Sequence, residues 1–156
     1  MDIRIANLLD IEKIMVLEEQ AFKLHSEARP DLIGKHTVNI KGIIEDNNRE
    51  VFVVDNENEI IGFCIVSVFE IKNHFMYPDM TNIEIDDFCI DEKYRQKGIG
   101  KKLFEKVKLY AKEKRAQYIT LTVWDFNKNA KNFYEHLGMK TRTNRMELKV
   151  ESTTSP

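Results

Sequence analysis

Hydrophobic residues in the first half of the chain change their spacing several times, and each spacing predicts a different element. A short strand is predicted over residues 3–6. A helix follows, beginning at Asn7 or Asp10 and ending near Leu24, because apolar positions recur there at helical intervals. The other elements predicted in this half are a weaker helix over residues 37–46 and strands over 50–55 and 59–69, which a polar turn joins as a hairpin.

The pattern in the second half predicts strands that alternate with helices. After a loop at 71–80, we expect strands over 82–90, 118–123 and 146–150 and helices over 98–115 and 127–137, the second ending at Gly138. The order β-α-α-β-β-β-α-β-α-β predicts an α/β fold with a mixed, mostly antiparallel sheet flanked by helices. Strands 82–90 and 118–123 should be parallel, because the helix between them makes a βαβ crossover.

The composition of the chain is that of an ordinary globular domain. Of its 156 residues, 42% are hydrophobic and 32% are charged. We expect one domain over residues 1–150 and a frayed polar tail over 151–156. No apolar run is long enough to cross a bilayer and no signal peptide is recognisable, so a cytoplasmic location is expected. Cys64 and Cys89 lie in apolar segments and are expected to be buried.

Positive charge is concentrated in one segment of an otherwise acidic chain. Residues 93–115 contain ten Lys and Arg and two Glu, a net charge of +8, whereas the whole chain has a net charge of −2. This distribution is typical of an anionic ligand bound at one place, with other surfaces free to attract cations. A solvated helix face is the alternative.

The start of this basic segment combines a strand end, a turn with two glycines and a helix. Helix N-termini have unpaired N–H groups and a positive dipole end, and Gly98 and Gly100 allow a ligand to approach the backbone. Lys97, Lys101 and Lys102 crowd this helix end, where the dipole disfavours cations unless an anion binds. The segment therefore predicts an anion site, with a tight turn carrying incidental lysines as the alternative.

Two better-known glycine signatures do not fit this turn. No G-x-x-x-x-G-K-[ST] string occurs in the chain, and Leu103 stands where G-x-G-x-x-G needs its third glycine. Neither a nucleoside-triphosphate loop nor a dinucleotide fingerprint is supported.

The turn instead resembles the signature of the GNAT acyltransferase superfamily. The family pattern [R/Q]-x-x-G-x-[G/A], between a strand and a helix, is matched by Arg95-x-x-Gly98-x-Gly100. A second family pattern, N-x-x-A-x-x-x-Y-x-x-x-G, is matched by the segment that runs from Asn127 to Gly138. The resemblance covers nearly the whole chain in element order, and its specific residues lie between about residues 84 and 139.

The resemblance implies a GNAT-like fold and transfer of an acetyl group from acetyl-CoA to a primary amine, by direct attack in a ternary complex. In the family, the asparagine contacts the pantetheine arm and the tyrosine protonates the departing thiolate, roles that fall on Asn127 and Tyr134. From the residues alone, Asn127 could be only a helix cap, and a core position is favoured for Tyr134 because it lies in an apolar stripe at helical spacing. The implied cofactor contacts are Phe88, Cys89, Ile90, Arg95, Gln96, Lys97, Gly98, Ile99, Gly100, Lys101, Asn127, Ala130 and Tyr134.

Amine acetylation also needs a group that takes a proton, because the pKa of a lysine-like amine is about 10.4. Because successive side chains of a strand point to opposite faces, we expect Glu84 and Asp86 on one face, with Phe88 and Ile90 further along it. Asp87 is expected on the other face. The resemblance makes Glu84 the first choice for the base and Asp86 the second. A wet surface for both carboxylates is the alternative. A covalent role for Cys89 is disfavoured, since no histidine lies near it in sequence.

The sequence limits the partners without identifying the acceptor. The four histidines show no metal-ligand spacing, so we predict no metal. In the family, regions corresponding to residues 25–31 and 73–78 shape the acceptor pocket. They do not distinguish a polyamine, an aminoglycoside, an amino acid, a protein amine or an acceptor hydroxyl. We predict no membrane partner and no nucleic-acid partner, and homodimers are common in the family.

Two other functions compete with catalysis. The first is a non-catalytic acyl-CoA-binding module on the same fold, which Glu84 and Tyr134 together disfavour. The second is a nucleic-acid-binding domain that uses the helix at 98–115, which the acidic balance of the chain disfavours.

Overall fold

The computed structural model of the chain describes residues 1–34 and 37–152, which fall into two compact units, Met1–Thr122 and Val123–Pro156. The first unit contains β1 (Asp2–Ile5), α1 (Ile11–Ala28), α2 (Ile40–Ile44), β2 (Arg49–Asn56), β3 (Glu59–Ile71), β4 (Met80–Ile90), α3 (Ile99–Glu113) and β5 (Tyr118–Leu121). The second contains α4 (Lys128–His136). The predicted single domain over 1–150 stays a prediction, and residues 153–156 of the predicted tail lie outside the described residues.

The five strands form one sheet in the order β1-β2-β3-β4-β5. The first three pairs of neighbours are antiparallel, whereas β4 and β5 are parallel and are connected through α3. The predicted α/β fold with a mostly antiparallel sheet and a βαβ unit is therefore confirmed.

A two-residue turn joins β2 to β3. Asn56 pairs with Glu59, and the two residues between them, Glu57 and Asn58, have φ angles of +56° and +71°. Two consecutive left-handed residues form the type I′ turn that matches the twist of a hairpin. The predicted hairpin is confirmed.

The helices of the first unit cover both faces of the sheet. Val51 and Val53 of β2 belong to a core cluster with Ile14 and Leu17 of α1, and α2 contributes Ile40 to the same cluster. On the opposite face, Phe52 packs edge-on against Tyr110 of α3, with 5.5 Å between the ring centroids. The alternation of β2 thus divides its side chains between two apolar layers.

A β-bulge in β4 corrects the predicted arrangement of its side chains. Ile65 pairs with Asp87 and Val66 with Ile85, so Asp86 is an extra residue in the ladder. One extra residue reverses the inward–outward alternation beyond it. Asp87 therefore lies on the face of Glu84, and Phe88 and Ile90 turn to the opposite face. The predicted grouping of Glu84 with Phe88 and Ile90 is wrong.

The predicted strand at 146–150 is absent from the described part of the chain. Residues 140–152 lie outside any helix or strand and are exposed. Alternating apolar residues favour an extended chain, but a strand exists only where a neighbouring strand completes its hydrogen bonds. The predicted helix at 37–46 is also shorter, because it begins only after Asn39, whose side chain accepts a hydrogen bond from Gly42 N at 2.9 Å.

Candidate functional site

The connection from β4 to α3 is a tight turn that its own residues hold together. Asp91 Oδ1 accepts a hydrogen bond from Lys93 N at 3.0 Å and caps a short 3₁₀ turn over Glu92–Tyr94. Arg95 Nε then donates to the carbonyl oxygen of Ile90 at 2.9 Å, which fastens the turn to the end of the strand. Arg95, the first residue of the turn motif, therefore has a structural contact.

The N-terminus of α3 is open. Gly98 caps this helix with φ at +76°, and no side chain caps the N–H groups of the first turn. A Cβ at Gly98 would meet nothing within 4 Å, so the space beside the backbone is free. Gln96 also has a positive φ, +61°. Residues that alternate in this way turn successive N–H groups toward a common point, a geometry that binds anions.

Cations surround this helix end. Lys97, Lys101 and Lys102 are exposed, and neither Lys101 nor Lys102 forms an ion pair with any residue in 1–34 or 37–152. Lys97 Nζ lies 5.3 Å from the centre of the Tyr94 ring, and the Tyr94 hydroxyl donates to Glu59 Oε2 at 2.9 Å. That hydrogen bond raises the pKa of Tyr94. The turn thus offers free N–H groups and unpaired positive charge, both of which suit a pyrophosphate.

Both candidate bases on β4 accept hydrogen bonds from hydroxyl groups of neighbouring strands. Glu84 is half-buried and its Oε2 accepts from Thr120 Oγ1 of β5, whereas the exposed Asp86 accepts from Ser67 Oγ of β3. Such bonds fix the direction of each carboxylate. The sequence prediction missed Thr120 and Ser67, because strand register decides which hydroxyl lies opposite which carboxylate.

β4 continues past its neighbour β5. The parallel pairing ends where Ile85 meets Leu121, whereas β4 runs to Ile90. The edge of β4 that carries Phe88, Cys89 and Ile90 is therefore not covered by β5. The implied backbone contacts of these three residues with the cofactor stay predictions.

Both cysteines are buried, as predicted. Burial, together with the charge of Asp87, raises the pKa of Cys89 to about 12, and its Sγ contacts the carbonyl oxygen of Leu17 at 3.4 Å. Burial also raises the pKa of Cys64. A thiol with such a pKa stays protonated at neutral pH, and only the thiolate is a good nucleophile. The structure therefore disfavours a covalent role for Cys89.

The second unit carries the other motif on α4. Asn127 caps this helix, since its Oδ1 accepts a hydrogen bond from Ala130 N at 3.1 Å. Tyr134 is half-buried, and its ring lies 5.1 Å from that of Phe133. Gly138 ends the helix with φ at +94°, the predicted left-handed stop. The cap interpretation of Asn127 is thus confirmed, and contacts of Asn127, Ala130 and Tyr134 with a cofactor stay predictions.

Two other kinds of site are not found. Within residues 1–34 and 37–152, no three His, Cys, Asp or Glu side chains are grouped so that they could hold a metal ion. None of the helices in these ranges is both long enough and apolar enough to span a membrane.

Comparison with known proteins identifies the family. The model of the Acetyltransferase (GNAT) family matches residues 11–139. The chain therefore belongs to the GNAT acetyltransferase family, and the predicted resemblance is confirmed.

Two curated relatives indicate the kinds of amine that similar proteins acetylate. L-ornithine N5-acetyltransferase NATA1 from Arabidopsis thaliana is 32% identical over 117 residues, which cover 73% of this chain and 50% of the relative. Thialysine N-epsilon-acetyltransferase from Sus scrofa is 36% identical over 72 residues, which cover 45% of this chain and 42% of the relative. The chain thus matches half or less of the length of each.

A solved structure agrees with the fold along almost the whole chain. The tetramutant of the BH1408 protein from Bacillus halodurans has a TM-score of 0.92 and 29% sequence identity, and the match covers 96% of this chain and 100% of that chain.

Proposed function

We propose that this chain transfers an acetyl group from acetyl-CoA to a primary amine, by direct attack of the amine in a ternary complex. The observation that supports this most is the open N-terminus of α3. There Gly98 leaves free space beside uncapped N–H groups, and three lysines bring positive charge. The pyrophosphate of a cofactor would accept hydrogen bonds from these N–H groups and balance the positive charge of the lysines.

In this proposal, the turn holds the pyrophosphate through the backbone of residues 96–101 and the side chains of Lys97 and Lys101. The uncovered edge of β4 at Phe88, Cys89 and Ile90 binds the pantetheine arm through backbone groups. Asn127 and Ala130 of α4 supply further contacts to the arm. Bound acetyl-CoA supplies a thioester, the activated acyl group that the reaction requires.

Two side chains of this chain transfer protons in the proposed reaction, one as a general base and one as a general acid. Glu84, which Thr120 orients, takes a proton from the ammonium form of the acceptor, directly or through a water molecule. Asp86 is the second choice for this role. Tyr134 donates its hydroxyl proton to the departing thiolate sulfur of the cofactor.

The acceptor we propose is a primary aliphatic amine at the end of a small amino-acid-like molecule. Glu84, Asp86 and Asp87 place three carboxylates within four residues of β4, and such a group attracts a cation. The names of the ornithine and thialysine relatives describe amines of this kind.

Thermal unfolding with and without ligand tests the cofactor. A ligand that binds only the folded state stabilises it by about 2.7 kcal/mol at a hundred times its Kd, so acetyl-CoA and CoA should raise the midpoint clearly. S-acetylpantetheine, which lacks the pyrophosphate, is the matched control and should raise it far less. An unchanged midpoint at millimolar acetyl-CoA would contradict the proposal.

Thiol release from acetyl-CoA tests catalysis and the acceptor together. We expect release to be fastest with ornithine and thialysine, slower with spermidine, and slowest with an aminoglycoside. Acetyl-CoA binding without release on any amine would instead favour a non-catalytic acyl-CoA-binding module.

The replacement Glu84→Gln tests the base. Without it, the reaction depends on amine that is already deprotonated in solution, a small fraction at neutral pH because the amine pKa is about 10.4. The loss of kcat should therefore be largest at low pH and should shrink as pH rises. Asp86→Asn is the control and should keep the shape of the wild-type pH profile. If Asp86→Asn instead shows the loss of kcat at low pH and Glu84→Gln keeps the wild-type pH profile, the base is Asp86.

A further inference from the structure

Tyr94 links the β2–β3 hairpin to the turn that precedes α3. Its hydroxyl donates a hydrogen bond to Glu59 Oε2 at 2.9 Å, and Lys97 Nζ lies 5.3 Å from the centre of its ring. Tyr94 thus contacts a carboxylate through its hydroxyl and a cation through its face, the two contacts that a phenol ring favours. Lys97 directly precedes Gly98, the cap of the open helix end.

Glu59 belongs to a part of the hairpin that other contacts fix. The carboxylate of Asp55 accepts a hydrogen bond from Asn58 N at 2.8 Å and forms an ion pair with Arg4 at 2.9 Å. Lys13 of α1 donates to the carbonyl oxygen of Asn58. The carboxylate of Glu59 therefore extends from a well-supported turn and can fix the orientation of the ring that it contacts.

The contact with the ring orders Lys97 without neutralising it. A lysine side chain has several rotatable bonds, so fixing it when a ligand binds costs conformational entropy. The face of an aromatic ring attracts an ammonium group but does not cancel its charge or occupy all of its N–H donors. The side chain is therefore ordered before a ligand binds, and its ammonium group stays available for an anion.

We propose that Glu59 and Tyr94 position Lys97 for the pyrophosphate of the cofactor. Glu59 orients the Tyr94 ring, and the ring holds Lys97 beside the N-terminus of α3. Glu59 acts only through the ring, because its own negative charge would repel a phosphate. Both roles rest on the proposed function, in which this turn binds the cofactor, and neither residue belongs to the two family motifs.

The charge of Glu59 distinguishes this role from simple electrostatics. A carboxylate near an anion site repels the anion, so its removal alone should strengthen the binding of CoA. The positioning role predicts the opposite for Glu59→Ala, since the ring loses its hydrogen bond and Lys97 loses its position. Glu59→Gln keeps an acceptor oxygen for the Tyr94 hydroxyl and should bind CoA at least as tightly as wild type.

Calorimetric titration of CoA into the full chain measures these effects. Tyr94→Leu, which removes the ring, should weaken binding by about two- to fivefold, the contribution of one exposed cation–π contact. Glu59→Ala and Tyr94→Phe should each produce part of this loss, and the double variant should lose no more than either single one. In a Lys97→Ala background, none of these changes should have a further effect, and effects that persist there would overturn the proposal.

A matched pair at the other end of α3 supplies the control. Lys114 Nζ also lies 5.3 Å from the centre of a tyrosine ring, that of Tyr110, so Lys114→Ala removes the same kind of contact and should leave CoA binding unchanged. The KM for S-acetylpantetheine, which lacks the pyrophosphate, should be the same in wild type and in the variants at Glu59 and Tyr94. If wild type binds CoA and Glu59→Ala binds it equally or more tightly, the positioning role is overturned and the proposed function stands. Failure of wild type to bind CoA would overturn both.

Discussion

Two helices of this chain begin in opposite ways, although both carry a family motif. The N-terminus of α3 is capped by Gly98, with no side-chain hydrogen bond and with lysines in and beside its first turn. The N-terminus of α4 is capped by Asn127, whose side chain accepts from Ala130 N, and Lys128 beside it is paired with Asp125 at 3.4 Å. One helix end is left open, and the other is satisfied by its own residues.

This difference means that the N-terminus of α3 is suited to binding an anion, whereas the N-terminus of α4 is stabilised by its own residues. An open helix end with unpaired lysines costs stability in the absence of a ligand, because the positive dipole end repels cations, and it gains from binding an anion. At the N-terminus of α4, the N–H group of Ala130 is already bonded and Lys128 is already paired, so an anion gains less there. In the proposed function, α4 contributes through side chains such as Tyr134. Replacements at the two helix ends should therefore affect different quantities.

The largest expected effect is that of Gly98→Asp on cofactor binding. The new carboxylate would occupy the free space beside the N–H groups and repel the pyrophosphate, so we expect binding of CoA to be lost. Calorimetric titration measures this. Gly34→Asp, which adds the same charge at an exposed glycine, should bind CoA normally.

The φ of +76° at Gly98 means that the replacement also strains the backbone, by roughly 1–2 kcal/mol. Circular dichroism and the thermal midpoint without ligand separate this strain from the loss of binding. A folded Gly98→Asp variant that still binds CoA tightly would mean that the anion site lies elsewhere.

Tyr134→Phe should affect turnover and leave cofactor affinity nearly unchanged. The replacement keeps the ring and its contact with Phe133 but removes the hydroxyl, and loss of a general acid lowers kcat by about a hundredfold or more. Steady-state kinetics should show a fall in kcat with a similar KM for acetyl-CoA. Tyr118→Phe on β5 is the control. Wild-type kcat in Tyr134→Phe would remove this hydroxyl from the mechanism.

Sequence could predict the open helix end because its determinants are local. Gly98, Gly100 and the nearby lysines are neighbours along the chain, and the strand–turn–helix order follows from hydrophobic spacing. The same holds for the hairpin turn at Glu57 and Asn58, and for the stop of α4 at Gly138.

The features that sequence could not predict depend on strand pairing. The bulge at Asp86 arises from the register between β3 and β4, and it reverses the faces of Asp87, Phe88 and Ile90. Spacing along one strand contains no information about such an extra residue. For the same reason, the prediction of a strand at 146–150 is wrong. The alternation of apolar residues there favours an extended chain, but a strand also requires a neighbouring strand with which to form hydrogen bonds.

A smaller effect is expected when the closed helix end is opened. Asn127→Ala removes the hydrogen bond to Ala130 N and should destabilise the folded state by about 1 kcal/mol, with a fall of the midpoint by about 2–4 °C. Amide hydrogen exchange should locate the loss in α4. Asn127→Asp, which keeps a capping oxygen, is the matched control. An unchanged midpoint in Asn127→Ala would show that this cap contributes little.

The smallest effect, and the one that distinguishes the two helix ends most directly, is that of Lys101→Ala. Removal of a cation from the open end of α3 should stabilise the ligand-free protein by roughly 0.3–1 kcal/mol. The same replacement should weaken CoA binding by about fivefold, the contribution of one exposed ion pair. At the closed end, Lys128→Ala loses an existing pair with Asp125, so it should not stabilise the protein. Chemical denaturation and calorimetric titration measure both quantities. A less stable Lys101→Ala protein with unchanged affinity would show that the lysines at α3 are ordinary surface residues.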